Sequence, residues 1–311
     1  MKILVLGSGG VGGFFGAMLA RAGESVWFVA RGEHLAAMKK SGLKIRSTAG
    51  EWTVPADTIT DEPADAGKVD VVVVSVKTYD TEQALARVLP TLTQHSIILS
   101  LQNGVENGES IRRSTSTGRV YEGAAYVSAR ITAPGEVTEG GGFYRIVFGS
   151  TDRPPGEEAA AFASKLMRSG IKTDLRQDIR NELWRKLSFI TSMGSITALT
   201  RLNHGEILAS PETMEIVFGA MKETEAVAAA KGILFEPLVP EKVLEGLARF
   251  DSGTRSSMYY DLINRKPLEI EALNGTIVRL GKELNVPTPI HKTIYASLLP
   301  HHRLHLALRS S

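Results

Sequence analysis

Apolar and polar positions change rhythm once along this chain. Up to about residue 175, short runs of apolar β-branched and aromatic residues alternate with stretches of helical period; beyond it, helical periodicity alone continues. In the first half the strand-like runs are 2–6, 25–29, 69–76, 96–101, 121–131, 136–138, 144–149 and 171–175. Helical runs at 10–22, 33–40, 81–89 and 157–168 lie among them. Alternating residues around 43–46 and 52–54 predict an antiparallel excursion. The glycines at 140–142 predict a turn joining the strands on either side. The run Val69-Asp70-Val71-Val72-Val73-Val74-Ser75-Val76 is apolar on both faces, as a central parallel strand must be. In the second half, 182–199 is apolar nearly all round and predicts a buried helix. Residues 256–261 predict a short helix, and Pro267 opens what reads as the last long one, with its stripe at Ile270, Leu273, Ile277, Leu280 and Leu284. The predicted organisation is an α/β domain over 1–177 and an all-helical domain over 178–311.

The first strand runs into Gly7-Ser8-Gly9-Gly10-Val11-Gly12, with glycines spaced G-x-G-x-x-G between a strand and a helix. That context makes it a dinucleotide-binding fingerprint of the Rossmann type. Gly7 permits the tight turn, Gly9 lets a pyrophosphate approach the backbone, and Gly12 lets the helix sit close to the strand. The amides at the helix start hold the anion. An NAD site wants an acid near the end of the second strand, about 20 residues on. This chain has Arg31 there, which suits a 2′-phosphate and so NADPH. Lys77 and Asn103 follow the third and fourth predicted strands, at the carboxyl rim where open α/β sheets bind ligands. A solvated lysine and an ordinary Asn-Gly turn would explain them equally well.

Two polar residues stand out in the helical half. Lys186 lies among Leu183, Phe189 and Ile190, so its side chain must snorkel out or address a partner. A desolvated lysine serves as a proton donor near neutral pH. Glu269 opens a helix, where the dipole favours a carboxylate with or without a catalytic role. Ser257 and Asp261 share a helical face. His301, His302 and His305 lack a further ligand at metal spacing and read as a frayed tail, so no metal site is expected.

Composition narrows the classes. A formal net charge of +2 with 23% charged residues gives no sign of a nucleic-acid partner. With no cysteine, disulfides, thiolate metal sites and a cysteine nucleophile are excluded. No apolar run is long enough for a membrane span and no signal peptide is evident, so the expectation is a soluble cytoplasmic protein.

Taken in order, Gly7-x-Gly9-x-x-Gly12, Arg31, Ser75-Val76-Lys77, Gln102-Asn103-Gly104-Val105, Lys186-Leu187, Ser256-Ser257-Met258 and Glu269-Ile270 resemble the ketopantoate reductase family across nearly the whole chain. The resemblance implies a Rossmann domain binding NADPH and a helical domain that closes over a small 2-oxo acid. It implies Lys186 as general acid, with Glu269 bonding to cofactor or substrate hydroxyl groups. Lys77 and Asn103 would lie near the nicotinamide ribose and substrate, Ala129 near the nicotinamide, and Ser257 at the substrate carboxylate. A homodimer is a further possibility that the resemblance raises. Two positions depart from the family pattern. Where ketopantoate-reducing members carry asparagines four and eight residues after the lysine, this chain has Ile190 and Gly194. A reductase for a different 2-oxo acid therefore stands beside the ketopantoate reading, as does a non-catalytic NADP sensor.

Overall fold

A computed structural model describes residues 1–236 and 252–310. Two compact units emerge: residues 1–102 with 106–179, and residues 103–105 with 180–311.

The first unit is built on an eight-stranded sheet. Its strands are β1 (Lys2–Leu6), β2 (Ser25–Val29), β5 (Ile59–Thr60), β6 (Val71–Val74), β7 (Ile97–Ser100), β8 (Arg119–Tyr126), β11 (Arg145–Gly149) and β12 (Lys172–Arg176). They lie in the order β12-β11-β8-β7-β6-β1-β2-β5, parallel except where β11 meets β8. A strand buried on both faces sends alternate residues to opposite sides. Ile3, Val5, Val73 and Leu99 pack with Phe14, Phe28 and Phe162 on one face. Leu4, Leu6, Val72 and Val74 meet Leu85, Val88 and Ile111 on the other. Phe28 lies on β2 itself, and the helical partners come from α1 (Gly10–Arg21), α3 (Thr81–Val88), α4 (Asn107–Ser114) and α5 (Glu157–Arg168).

The antiparallel excursion is present as β3 (Leu43–Ser47) and β4 (Gly50–Val54), reached through α2 (Gly32–Ser41). It belongs to a second, four-stranded sheet with β9 (Ala129–Ala133) and β10 (Glu136–Glu139). This corrects one expectation and refines another. The run 121–131 is two strands in two sheets, and the glycines at 140–142, which do join the strands on either side, carry the chain from one sheet to the other. Glu139 explains the crossover: its buried carboxylate accepts from Gly142 N at 2.9 Å and from Ser47 Oγ at 2.6 Å, tying the glycine stretch to β3. The sequence pattern also missed the edge strand β5 and helix α4.

The helical unit contains α6 (Arg180–Phe189), α7 (Ser195–Thr200), α8 (His204–Leu208), α9 (Pro211–Ala230), α10 (Ser257–Ile263), α11 (Thr276–Glu283) and α12 (Pro289–Ser310) among its described residues. Trp184, Leu187, Ile196, Val217, Met221, Ile277 and Leu298 share its core. The single buried helix expected over 182–199 is interrupted by a π turn at Ile190–Gly194, and a second π turn, Glu271–Gly275, precedes α11. Nor is the helix after Pro267 the last long one. The three C-terminal histidines lie in α12, where His302 Nδ1 accepts from Leu268 N at 3.1 Å and His305 Nδ1 meets Lys266 O at 2.9 Å. His302 and His305 are buried, so the frayed tail is in fact a docked helix.

His291, also on α12, is fully buried. Its Nε2 donates to Ala220 O at 2.8 Å, and its Nδ1 accepts from Asn274 Nδ2 at 3.1 Å, a tautomer assigned from the partners. Burial pushes its pKa from 6.5 down to about 4. Between those values the unfolded chain binds a proton that the folded chain refuses. Stability is therefore full above pH 6.5 and falls as pH drops toward 4, by about 3 kcal/mol from this group. Urea unfolding at pH 7 and pH 4.5 should show the fall, and His291→Gln should make the dependence visibly shallower.

Candidate active site

Strand β1 sits between β2, its immediate successor, and β6, which arrives after the excursion, so the chain's winding reverses at β1. Ligands of open α/β sheets bind at the carboxyl edge of such a reversal. The residues found there are Gly7–Gly12, Arg31 after β2, and Ser75 and Lys77 after β6.

The loop is shaped by what each glycine meets. Gly7 has φ of 103° and lies so close to Val76 N that a Cβ would stand 2.7 Å from it. A Cβ on Gly12 would overlap Ser75 Oγ and Gly7 O; that hydroxyl donates to Gly7 O at 2.8 Å, fastening β6 to the loop. Gly10 faces the other way, onto the backbone of Ala129 at the start of β9. Above Gly9, by contrast, no atom lies within 4 Å of the Cβ position, and Gly9 is the residue that caps α1. An open space over backbone amides at a helix N-terminus is what a pyrophosphate requires. Ser8 is buried, its Oγ donating to Val29 O at 3.0 Å, so its side chain is committed to the fold.

Arg31 is held by Asp80, which is buried in the turn after β6 and ion-paired with the guanidinium. The Arg31 side chain is nevertheless 65% exposed, leaving it accessible to an anion. Lys77 caps that same turn, Thr78–Asp80. Asn103, expected on the sheet rim, belongs with the helical unit, together with Val105, which packs against that unit's core. At the rim Gln102 does the fastening instead: its buried amide donates to Val76 O at 2.9 Å and to Thr81 Oγ1 at 2.7 Å. Asp80 carries no motif signal and is brought in only by the turn that follows β6, whereas Gln102 stands in the Gln102-Asn103-Gly104-Val105 motif without its fastening role being legible there.

In the helical unit, Lys186, Ile190 and Gly194 follow one another at four-residue spacing through α6 and the π turn. Gly194 O accepts from Ser256 Oγ at 2.7 Å. Ser256 in turn caps α10, placing Ser257 as the first residue of that helix. A Cβ at Gly194 would rest 3.6 Å from Ser256, so a side chain there is not barred by backbone geometry. Glu269 is buried just before the second π turn. Lys186 is half-buried. Burial dominates and lowers its pKa from 10.5 to about 8, while the carboxylates of Glu269 and Glu182 pull it upward. An amine with that pKa gives up a proton readily near neutrality. Among the described residues no cluster of three or more His, Cys, Asp or Glu could hold a metal, and no helix is long and apolar enough to cross a membrane.

Known proteins resemble this chain in sequence and fold. Residues 3–153 match the family model described as ketopantoate reductase PanE/ApbA, and residues 178–301 match its C-terminal counterpart. A 2-dehydropantoate 2-reductase of Archaeoglobus fulgidus is 31% identical over 94% of this chain and 95% of its own. The crystal structure of a PanE/ApbA family ketopantoate reductase from Ralstonia eutropha JMP134 superposes with a TM-score of 0.89 at 29% identity, covering 98% of this chain and all of the other. A D-mandelate dehydrogenase solved with NADH and anilino(oxo)acetate gives a TM-score of 0.88 at 26% identity, again with 98% of this chain and all of the other covered.

If Arg31 reads a 2′-phosphate, Arg31→Ala is expected to weaken NADPH binding about 10- to 100-fold, the worth of one or two charge-assisted bonds. NADH binding should change little, and fluorescence titration of each nucleotide gives the comparison.

Proposed function

The chain belongs to the ketopantoate reductase family, and from that we infer that it is an NADPH-dependent reductase of a 2-oxo acid, with 2-dehydropantoate as the leading substrate. The observation that carries the reading is Lys186: a lysine whose amine burial has brought to about 8, coupled to a buried carboxylate. The α/β unit contributes the dinucleotide site: amides from Gly9 to Gly12 for the pyrophosphate, Arg31 for the 2′-phosphate, and Lys77 and Ala129 flanking the loop. The bound nucleotide supplies the hydride. The helical unit contributes the acid. As the ketone carbon is reduced, negative charge grows on its oxygen, and the Lys186 ammonium donates the proton that neutralises it. Glu269 keeps that ammonium charged at neutral pH against desolvation, and offers an acceptor to hydroxyl groups of the ligands. Asn103 and Ser257 provide neutral polar groups for the substrate carboxylate.

A second reading within the same chemistry is favoured by Ile190 and Gly194. An isobutyl group and a bare backbone follow the lysine along its helix and offer a substrate apolar contact in place of side-chain hydrogen bonds. The likeness to a D-mandelate dehydrogenase supports a 2-oxo acid with a bulky apolar group on the carbonyl.

NADPH oxidation with ketopantoate, phenylglyoxylate and pyruvate separates these readings. A kcat/KM at least about 10-fold higher for ketopantoate supports the first and the same margin for phenylglyoxylate the second; turnover of none of them defeats both. Lys186→Ala is expected to lower kcat by about 100-fold or more with NADPH affinity kept. In the unaltered protein kcat/KM should be flat below pH 8 and fall about tenfold per pH unit above it, as Lys186 loses the proton it must donate.

A further inference from the structure

Lys186 and Glu269 stand on separate segments of the helical unit, and a π turn begins within four residues of each: Ile190–Gly194 after Lys186, Glu271–Gly275 after Glu269. Such turns are rare and carry a helix out of its four-residue register. In the second, Gly275 N donates to Ile270 O five residues back, at 2.8 Å. Each turn thus rotates the helix that follows it, and the relative placement of the two segments depends on what joins them.

Asn274 joins them. It lies within the second π turn and is fully buried. Its Nδ2 donates to Thr191 O inside the first π turn at 2.9 Å, and its Oδ1 accepts from Ser195 Oγ, at the start of α7, at 2.6 Å. The remaining Nδ2 hydrogen goes to His291 Nδ1 at 3.1 Å. His291, anchored by Ala220 O, presents only an acceptor on that side, which fixes the orientation of the amide. Both Nδ2 hydrogens and the Oδ1 of Asn274 are therefore engaged, on three different segments. The network includes neither Lys186 nor Glu269, and Asn274 is no part of the acid machinery itself.

We propose that Asn274 is a positioning residue for the reduction, bonding one π turn from within the other so that the Lys186 ammonium and the Glu269 carboxylate keep a fixed separation. The proposal rests on the reductase reading for its kinetic consequence but not for its physical one. An aspartate at 274 would keep the acceptor for Ser195 and lose the donors to Thr191 and His291; an alanine would lose all three bonds.

The test measures kinetics and the titration of Lys186 in parallel. Asn274→Ala is expected to lower kcat about 10- to 100-fold, the usual range for removing a group that orients a catalytic one, with the dissociation constant for NADPH within about twofold. The midpoint of Lys186 acylation against pH, followed by peptide mass spectrometry, should move down by about half a pH unit. The attraction of Glu269 weakens with distance while that of Glu182, on the same helix as the lysine, is unchanged. Asn274→Asp should move both readouts the same way and by less. If Asn274→Ala does not fold, Ser195→Ala, which leaves the amide bond to Thr191 intact, carries the test with about a threefold loss of kcat. A folded variant that loses only thermal stability, with kcat and the Lys186 midpoint unchanged, overturns the proposal. Should the unaltered protein reduce no 2-oxo acid, the reductase reading fails by itself, and the acylation midpoint still decides whether Asn274 positions Lys186.

Discussion

Keeping a charged amine out of water is costly unless an opposite charge and a shaped surrounding answer it, and the helical unit is arranged around that constraint. Lys186 loses most of its hydration, and Glu269 restores part of what is lost. The balance leaves an amine near the pH at which proton transfer is easiest, a condition that neither burial alone nor ion pairing alone would produce. The same unit buries two interrupted helices, an asparagine and a neutral histidine beside a core built mainly of Leu, Ile, Met and Val.

The α/β unit solves a different problem, that of bringing backbone close to an anion without leaving a void. Here α1 is gripped from both sides. Gly12 admits the β1–β6 edge on one side and Gly10 admits the second sheet on the other, while only Gly9 stays uncovered. The excursion strands, which look incidental along the chain, supply the second wall through β9 and β10. The glycine spacing thus serves packing on two faces and leaves the helix start open at one point.

How much of this is legible in the sequence follows from the range of the interactions. Apart from the two-residue edge strand β5 and the divided run 121–131, the strands of the main sheet, the glycine loop and the alternating excursion are local patterns and lie where the periodicity puts them. Lys186 is conspicuous because a cation interrupts an apolar face. The π turns are invisible, since one extra residue in a turn barely disturbs an apolar run such as 182–199. Helix α12 was hidden for two reasons: Pro300 falls inside it, and histidines occupy positions of its buried face, continuing from Ile294 and Leu298 to His302 and His305. Asp80 and Asn274 act on partners 49 and 83 residues away, and nothing near them in the chain marks either residue.

The Arg31–Asp80 pair has a bearing on selectivity among phosphates in general. A guanidinium already oriented by a carboxylate surrenders little side-chain freedom when an anion arrives, which favours a ligand that fits its fork. The same carboxylate cancels much of the field that would gather stray inorganic phosphate or mononucleotides from solution. On the proposed reading, the pair would trade indiscriminate attraction for shape and favour a phosphate delivered at the right place by the rest of a dinucleotide.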